Sequence, residues 1–160
     1  MSLLRGDETP EEIIVIAYGM ERGLGEFYTK MAERIVDTEV ANMLSKLSEI
    51  EDKHKQRLAS AYLSLHKSIS DETFESKIVS GMMEGGFTVE EYIDQNGPAM
   101  RTIPDVLNIA MMLEAQALDL YMRYSQEITY DKGKTILYDI AEEEKGHLAA
   151  LGRLIEEKVK

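Results

Sequence analysis

Residues 134–157 show the three- and four-residue spacing of apolar side chains that is typical of an amphipathic helix, but two polar residues share the apolar face. The positions on that face are Leu137, Ile140, Glu144, His147, Leu151 and Leu154. Residues three and four apart are neighbours on a helix surface, so Glu144 and His147 must point the same way as the leucines. A chain that packs on this face has to bury a carboxylate beside an imidazole.

Three further segments repeat this arrangement, each with a glutamate at the centre of the apolar face. In residues 39–66 the face consists of Leu44, Leu47, Glu51, His54, Leu58 and Ala61. In residues 10–36 it consists of Ile14, Ala17, Glu21, Leu24 and Tyr28. In residues 103–128 it consists of Leu107, Ala110, Glu114, Ala117 and Tyr121. Two segments therefore carry Glu-x-x-His, and two carry one inward Glu followed by a Tyr.

The two halves of the chain match in register. A shift of 93 residues carries Glu21 to Glu114, Tyr28 to Tyr121, Glu51 to Glu144 and His54 to His147. A helix-turn-helix unit thus occurs twice. The repeat predicts a site with approximate twofold symmetry, to which each half contributes two carboxylates and one imidazole.

The remaining signals predict an all-α fold. Thr9-Pro10 and Thr102-Ile103-Pro104-Asp105 are typical helix starts, and Asp37-Thr38 predicts a short turn and cap. The predicted helices span about 10–36, 39–66, 103–128 and 134–157, with a crossover at 67–102 that contains one or two short helices, one beginning near Thr88. No segment shows sustained strand alternation. Two antiparallel helix pairs joined by a long crossover are the ferritin-like form of the four-helix bundle, here as a single domain over 1–160.

Charge and cysteine content exclude several classes of function. The chain has 18 basic and 30 acidic residues, a net charge of −12, so a nucleic-acid backbone or an anionic membrane is not expected as a partner. With no cysteine, the chain has no disulfide, no thiolate metal site and no cysteine nucleophile. We find no signal region and no run of transmembrane length, and we therefore expect a cytoplasmic protein.

Four inward carboxylates need positive charge nearby. A buried, unpaired ionised carboxylate costs several kcal/mol, and no lysine or arginine falls on the four faces near the acids. Two divalent cations would balance the four negative charges, and neutral histidines would complete their coordination. Oxygen-rich sites with imidazole suit iron or manganese, and zinc can also occupy them. We therefore predict two metal ions held by Glu21, Glu51, His54, Glu114, Glu144 and His147.

These residues resemble the rubrerythrin-like branch of the ferritin-like di-iron carboxylate proteins. The matching motifs are "GMERGLGEFY", "EIEDKH", "MLEAQALDLY" and "AEEEKGH", and the resemblance covers most of the chain apart from about residues 67–103. It implies a di-iron oxidoreductase that reduces hydrogen peroxide or dioxygen, oxidises Fe²⁺ and protects against oxidative stress. It also implies a homodimer, and tyrosines (Tyr28 and Tyr121) that bond a ligating carboxylate across the bundle.

The chain departs from classical rubrerythrins in two respects. Without cysteine it lacks their rubredoxin domain, so the reductant must be an external donor such as a rubredoxin-like protein. Ala117 stands where those proteins carry an additional Glu.

Two other functions remain open: a ferroxidase or iron-storage protein, and a non-catalytic metal-binding module of a larger protein. Glu142 and Glu143 lie off the apolar face and are predicted to face water, and His66 is predicted to be structural or exposed.

Overall fold

The computed structural model describes residues 8–65, 89–97, 100–128 and 131–159. Within these ranges the chain forms five α-helices and no strand. The helices are α1 (Pro10–Arg34), α2 (Thr38–Leu65), α3 (Val89–Asn96), α4 (Ile103–Glu127) and α5 (Asp131–Val159). The all-α prediction is therefore confirmed for the described residues. Most of the predicted crossover, with Thr88 and His66, lies outside them. No helix in the described part of the chain is long and apolar enough to cross a membrane.

The predicted capping residues begin three of the long helices. The hydroxyl of Thr9 accepts a hydrogen bond from the backbone N–H of Glu12 at 3.2 Å. Thr102 and Asp105 form a reciprocal capping box, in which each side chain accepts from the other's backbone N–H, at 3.2 and 3.0 Å. At the start of α2, the carboxylate of Asp37 accepts from the N–H of Val40 at 3.1 Å. These bonds satisfy N–H groups that would otherwise lack partners in the first turn.

The last long helix begins earlier than its predicted start at residue 134. Helix α5 starts at Asp131 and includes Gly133, which is buried. An acidic residue in the first turn is stabilised by the partial positive charge of the helix N-terminus, and this favours a start at Asp131. A helical glycine costs about 1 kcal/mol relative to alanine, too little to end a helix of 29 residues.

The four long helices pack as two pairs, α1 with α2 and α4 with α5. Thr29 contacts Ser48 at 2.8 Å, while Gly25, one turn earlier, packs against Glu51, so α1 and α2 run antiparallel. Helix α5 runs antiparallel to α2, because the end of α5 lies at the start of α2, where Lys158 contacts Glu39 at 2.9 Å.

The short helix α3 covers one side of α1. The side chain of Lys30 pairs with Glu90 at 2.9 Å, and the rings of Phe27 and Tyr92 meet edge to face with centroids 6.0 Å apart. Phe27 itself is fully buried, so α3 closes the core on this side.

Candidate metal centre

All six predicted ligand residues are buried in the centre of the helix pairs. Each of the four long helices supplies one glutamate, and the side chains of Glu21, Glu51, Glu114 and Glu144 are 0% exposed. His54 and His147 lie between them with their rings stacked, 5.9 Å apart between centroids. The helical spacing thus brings together residues that are more than 120 positions apart in the chain.

The Nδ1 atom of His54 faces three carboxylates from three helices. It lies 3.1 Å from Oε2 of Glu51, 3.3 Å from Oε1 of Glu144 and 3.5 Å from Oε2 of Glu21. We call these four residues the His54 set. A single ring nitrogen can donate to only one of three oxygens at a time, so its proton cannot satisfy this environment.

The Nδ1 atom of His147 has a matching environment. It lies 3.1 Å from Oε2 of Glu144, 3.4 Å from Oε1 of Glu114 and 3.7 Å from Oε1 of Glu51. We call these residues the His147 set. Within each set, one potential ligand atom from every residue lies within 4.8 Å of all the others.

Two glutamates belong to both sets. Glu51 and Glu144 each direct one carboxylate oxygen toward His54 and the other toward His147. Glu21 belongs to the His54 set alone, and Glu114 to the His147 set alone. The cluster therefore has the form of two adjacent four-residue sites that share two carboxylates.

The carboxylates have more acceptor capacity than the described residues satisfy. One oxygen of each is buried and accepts no hydrogen bond from the described residues; these atoms are Glu21 Oε2, Glu51 Oε1, Glu114 Oε2 and Glu144 Oε1. Four such oxygens around two imidazoles are costly for a fold held by hydrogen bonds alone, because a buried charge without a partner is strongly destabilising. Oxygen and imidazole donors in this number fit two divalent cations.

The pKa values of the cluster show how protons balance it without metal. Burial lowers the pKa of His54, but the close approach and negative charges of Glu144 and Glu21 outweigh burial and raise it to about 10. Burial and the charge of Glu21 raise the pKa of Glu51 well above its usual range. Burial also opposes ionisation of Glu21, but the close approach of Glu51 and His54 holds the pKa of Glu21 below the usual value. The shifts at His54 and Glu51 both favour the protonated form, which reduces the negative charge of the cluster.

Two tyrosines connect the helix pairs at the cluster. The hydroxyl of Tyr28 donates to Oε1 of Glu114 at 2.5 Å, and the hydroxyl of Tyr121 donates to Oε1 of Glu21 at 2.5 Å. Both tyrosines are fully buried. Burial and the neighbouring carboxylates raise the pKa of both hydroxyls, so they remain donors. Each bond fixes a glutamate that belongs to one set only.

Glu143 is a residue of the cluster that sequence reasoning missed. Its side chain is 51% exposed, yet Oε2 lies 2.8 Å from Nε2 of His54, and Arg57 donates to the same oxygen at 2.9 Å. Glu142 and Glu143 are both exposed, as predicted, and Glu142 pairs with Lys145. The helical spacing gave no signal for Glu143, because this residue approaches His54 from the rim of the helix pair rather than from the apolar face.

The comparison with solved structures supports the fold. No family model and no curated protein matches the sequence. In structure the chain is similar to a hypothetical protein from Pyrococcus furiosus, with a TM-score of 0.73 and 22% sequence identity, over 97% of this chain and 93% of that one. This similarity extends over almost the whole of both chains.

Proposed function

We propose that this protein is a di-iron carboxylate oxidoreductase of rubrerythrin type, built on a ferritin-like bundle. The observation that carries the proposal is the sharing of Glu51 and Glu144 between the His54 and His147 sets. One Glu from each of two helices and Glu-x-x-His from each of the other two is the ligand pattern of the ferritin-like di-metal proteins. The antiparallel pairing of the long helices agrees with that fold.

The donor set suits iron or manganese. Four carboxylates and two imidazoles are mostly hard oxygen ligands, which suit iron or manganese. Structural zinc sites, by contrast, are typically rich in thiolate ligands. Two iron ions held here would supply the two electrons that, with two protons, convert hydrogen peroxide to water, or would pass electrons to dioxygen.

The protein's own residues would hold and insulate this centre. Tyr28 and Tyr121 fix the outer carboxylates by hydrogen bonds, so Glu114 and Glu21 keep their positions. Glu51 and Glu144 each direct one oxygen toward His54 and the other toward His147, so either carboxylate could bind one metal ion or both. The apolar residues around the cluster keep the four carboxylates away from bulk water. Since the chain has no cysteine, its electrons would come from a separate donor, such as a rubredoxin-like protein.

Consumption of hydrogen peroxide by the iron-loaded protein tests this function. We expect the protein to consume peroxide and to oxidise Fe²⁺ faster than Glu144→Ala, which removes a ligand from both sets. Glu142→Ala is the matched control, because it removes a neighbouring exposed carboxylate outside both sets. If Glu144→Ala reacted as fast as the unmodified protein, the oxidoreductase function would be rejected. Native mass would separate the proposed homodimer from a large ferritin-like shell.

A further inference from the structure

The two histidines of the cluster differ in the environment of their second ring nitrogen. Nε2 of His54 bonds to Oε2 of Glu143 at 2.8 Å. Arg57 holds this carboxylate in turn, since Nη1 donates to the same oxygen at 2.9 Å. The other guanidinium nitrogen of Arg57 lies 3.5 Å from a carboxylate oxygen of Asp139. His54 is therefore connected to a chain of charged groups that extends to the surface.

The sequence repeat provides no equivalent for His147. At the offset of 93 residues, the counterparts of Glu143, Arg57 and Asp139 are Ile50, Ala150 and Lys46. None of these can accept a hydrogen bond through a carboxylate. Among the residues that the structure describes, none bonds to Nε2 of His147, and its side chain is 10% exposed against 1% for His54.

We infer that Glu143 is a positioning residue that orients His54 for metal binding and makes the His54 set the tighter of two inequivalent metal sites. This inference rests on the proposed metal centre. A neutral imidazole carries its proton on one nitrogen, and an acceptor at Nε2 keeps the proton there. The lone pair of Nδ1 is then available to a cation that lies between this nitrogen and the carboxylates of Glu21, Glu51 and Glu144.

The partner of a ligating histidine also has a measurable effect on affinity. Removal of such an outer carboxylate typically weakens metal binding by about 10- to 100-fold, because the ring loses both its orientation and part of its basicity. Glu143 contacts the ring of His54 and not that of His147. Its removal should therefore weaken one site and leave the other unchanged.

Anaerobic titration of the metal-free protein with Co²⁺, followed by the visible absorption of the bound ion, tests the inference. We expect two equivalents to bind in two steps. Glu143→Ala should weaken the tighter step by about 10- to 100-fold and leave the weaker step within about threefold. Glu143→Gln, which keeps an acceptor oxygen without the charge, should lose less. Glu142→Ala should bind like the unmodified protein.

Variants with one complete set assign the effect to a site. Glu114→Ala leaves the His54 set complete, and there the addition of Glu143→Ala should weaken binding. Glu21→Ala leaves the His147 set complete, and the addition of Glu143→Ala to this variant should not change Co²⁺ binding. The titration of Glu143→Ala alone decides the question if either of these core variants fails to fold.

The outcomes separate the inference from the proposed function. If the unmodified protein fails to bind two Co²⁺ ions, the proposed metal centre fails and the inference with it. If two ions bind but Glu143→Ala weakens neither step, or weakens both steps alike, the inference alone is overturned.

Discussion

Replacement of Glu51 by glutamine should have opposite effects on stability with and without metal. In the metal-free protein, burial and the charge of Glu21 disfavour the ionised form of Glu51. A neutral amide avoids that cost, and its oxygen can still accept from Nδ1 of His54. Because the ionised form of Glu51 is already disfavoured, the substitution does not break a favourable ion pair, and replacing buried ionic groups by neutral ones of similar volume is often neutral or stabilising by about 1–4 kcal/mol. We therefore expect Glu51→Gln to raise the free energy of unfolding of the metal-free protein.

The same change should remove most of the stabilisation that metal provides, because Glu51 belongs to both sets. A metal at about 100 times its dissociation constant stabilises the native state by roughly 2.7 kcal/mol for each site, or about 5 kcal/mol for two. In a domain of this size, 1 kcal/mol shifts Tm by about 2–4 °C. Metal should thus raise the Tm of the unmodified protein by roughly 10–20 °C and that of Glu51→Gln by much less.

Thermal melts followed by circular dichroism, with and without Mn²⁺ or anaerobic Fe²⁺, measure both effects. Glu49→Gln is the matched control, since Glu49 is exposed on the same helix and should leave both Tm values unchanged. The reasoning would be refuted by a Glu51→Gln variant that is destabilised equally in both conditions. That result would mean that Glu51 stabilises the folded core but does not bind metal.

Three further predictions follow from the contacts of the cluster and of α5. Tyr28→Phe removes the hydroxyl that donates to Glu114, so Co²⁺ binding should weaken by about 10- to 100-fold, measured by the same anaerobic titration. The pKa of His54 is raised from 6.5 to about 10, so its protonated form stabilises the metal-free fold below pH 6.5, and this contribution is lost as the pH rises to about 10. Urea denaturation across that range should show the loss in the metal-free protein and not in His54→Ala. A methyl group at Gly146 meets nothing within 4 Å, so Gly146→Ala should raise the free energy of unfolding by about 0.5–1 kcal/mol, also measured in urea.

The helices and the inward carboxylates could be predicted because both depend on local periodicity. Each of the four glutamates stands among apolar residues at helical spacing, and burial follows once the helix packs on that face. The bonds between Tyr28 and Glu114 and between Tyr121 and Glu21 were expected from the resemblance, and the repeat gave them matching positions. Helix ends were less accurate, because Asp131 and Gly133 are compatible with either a turn or a first helical turn.

The division of the cluster into two sets could not be predicted in this way. Sequence spacing shows that Glu51 and Glu144 face inward. It does not show that each places one oxygen near His54 and the other near His147. That depends on the distance and the rotation between the two helix pairs, which arise from packing of the whole core. The role of Glu143 likewise depends on how closely α2 and α5 approach, a property of tertiary structure that no local pattern records.

The internal repeat itself explains why one kind of residue was found and the other was missed. A comparison of the two halves detects what they share, and the shared residues include the six that face the centre, together with Tyr28 and Tyr121. Residues that make the two halves differ are invisible to such a comparison. Glu143 opposite Ile50 is such a difference, and it lies against a histidine of the site rather than at a distant surface. In a bundle with an internal repeat, the shared positions therefore indicate where the site is, whereas the mismatched positions next to it indicate how the surroundings of its two halves differ.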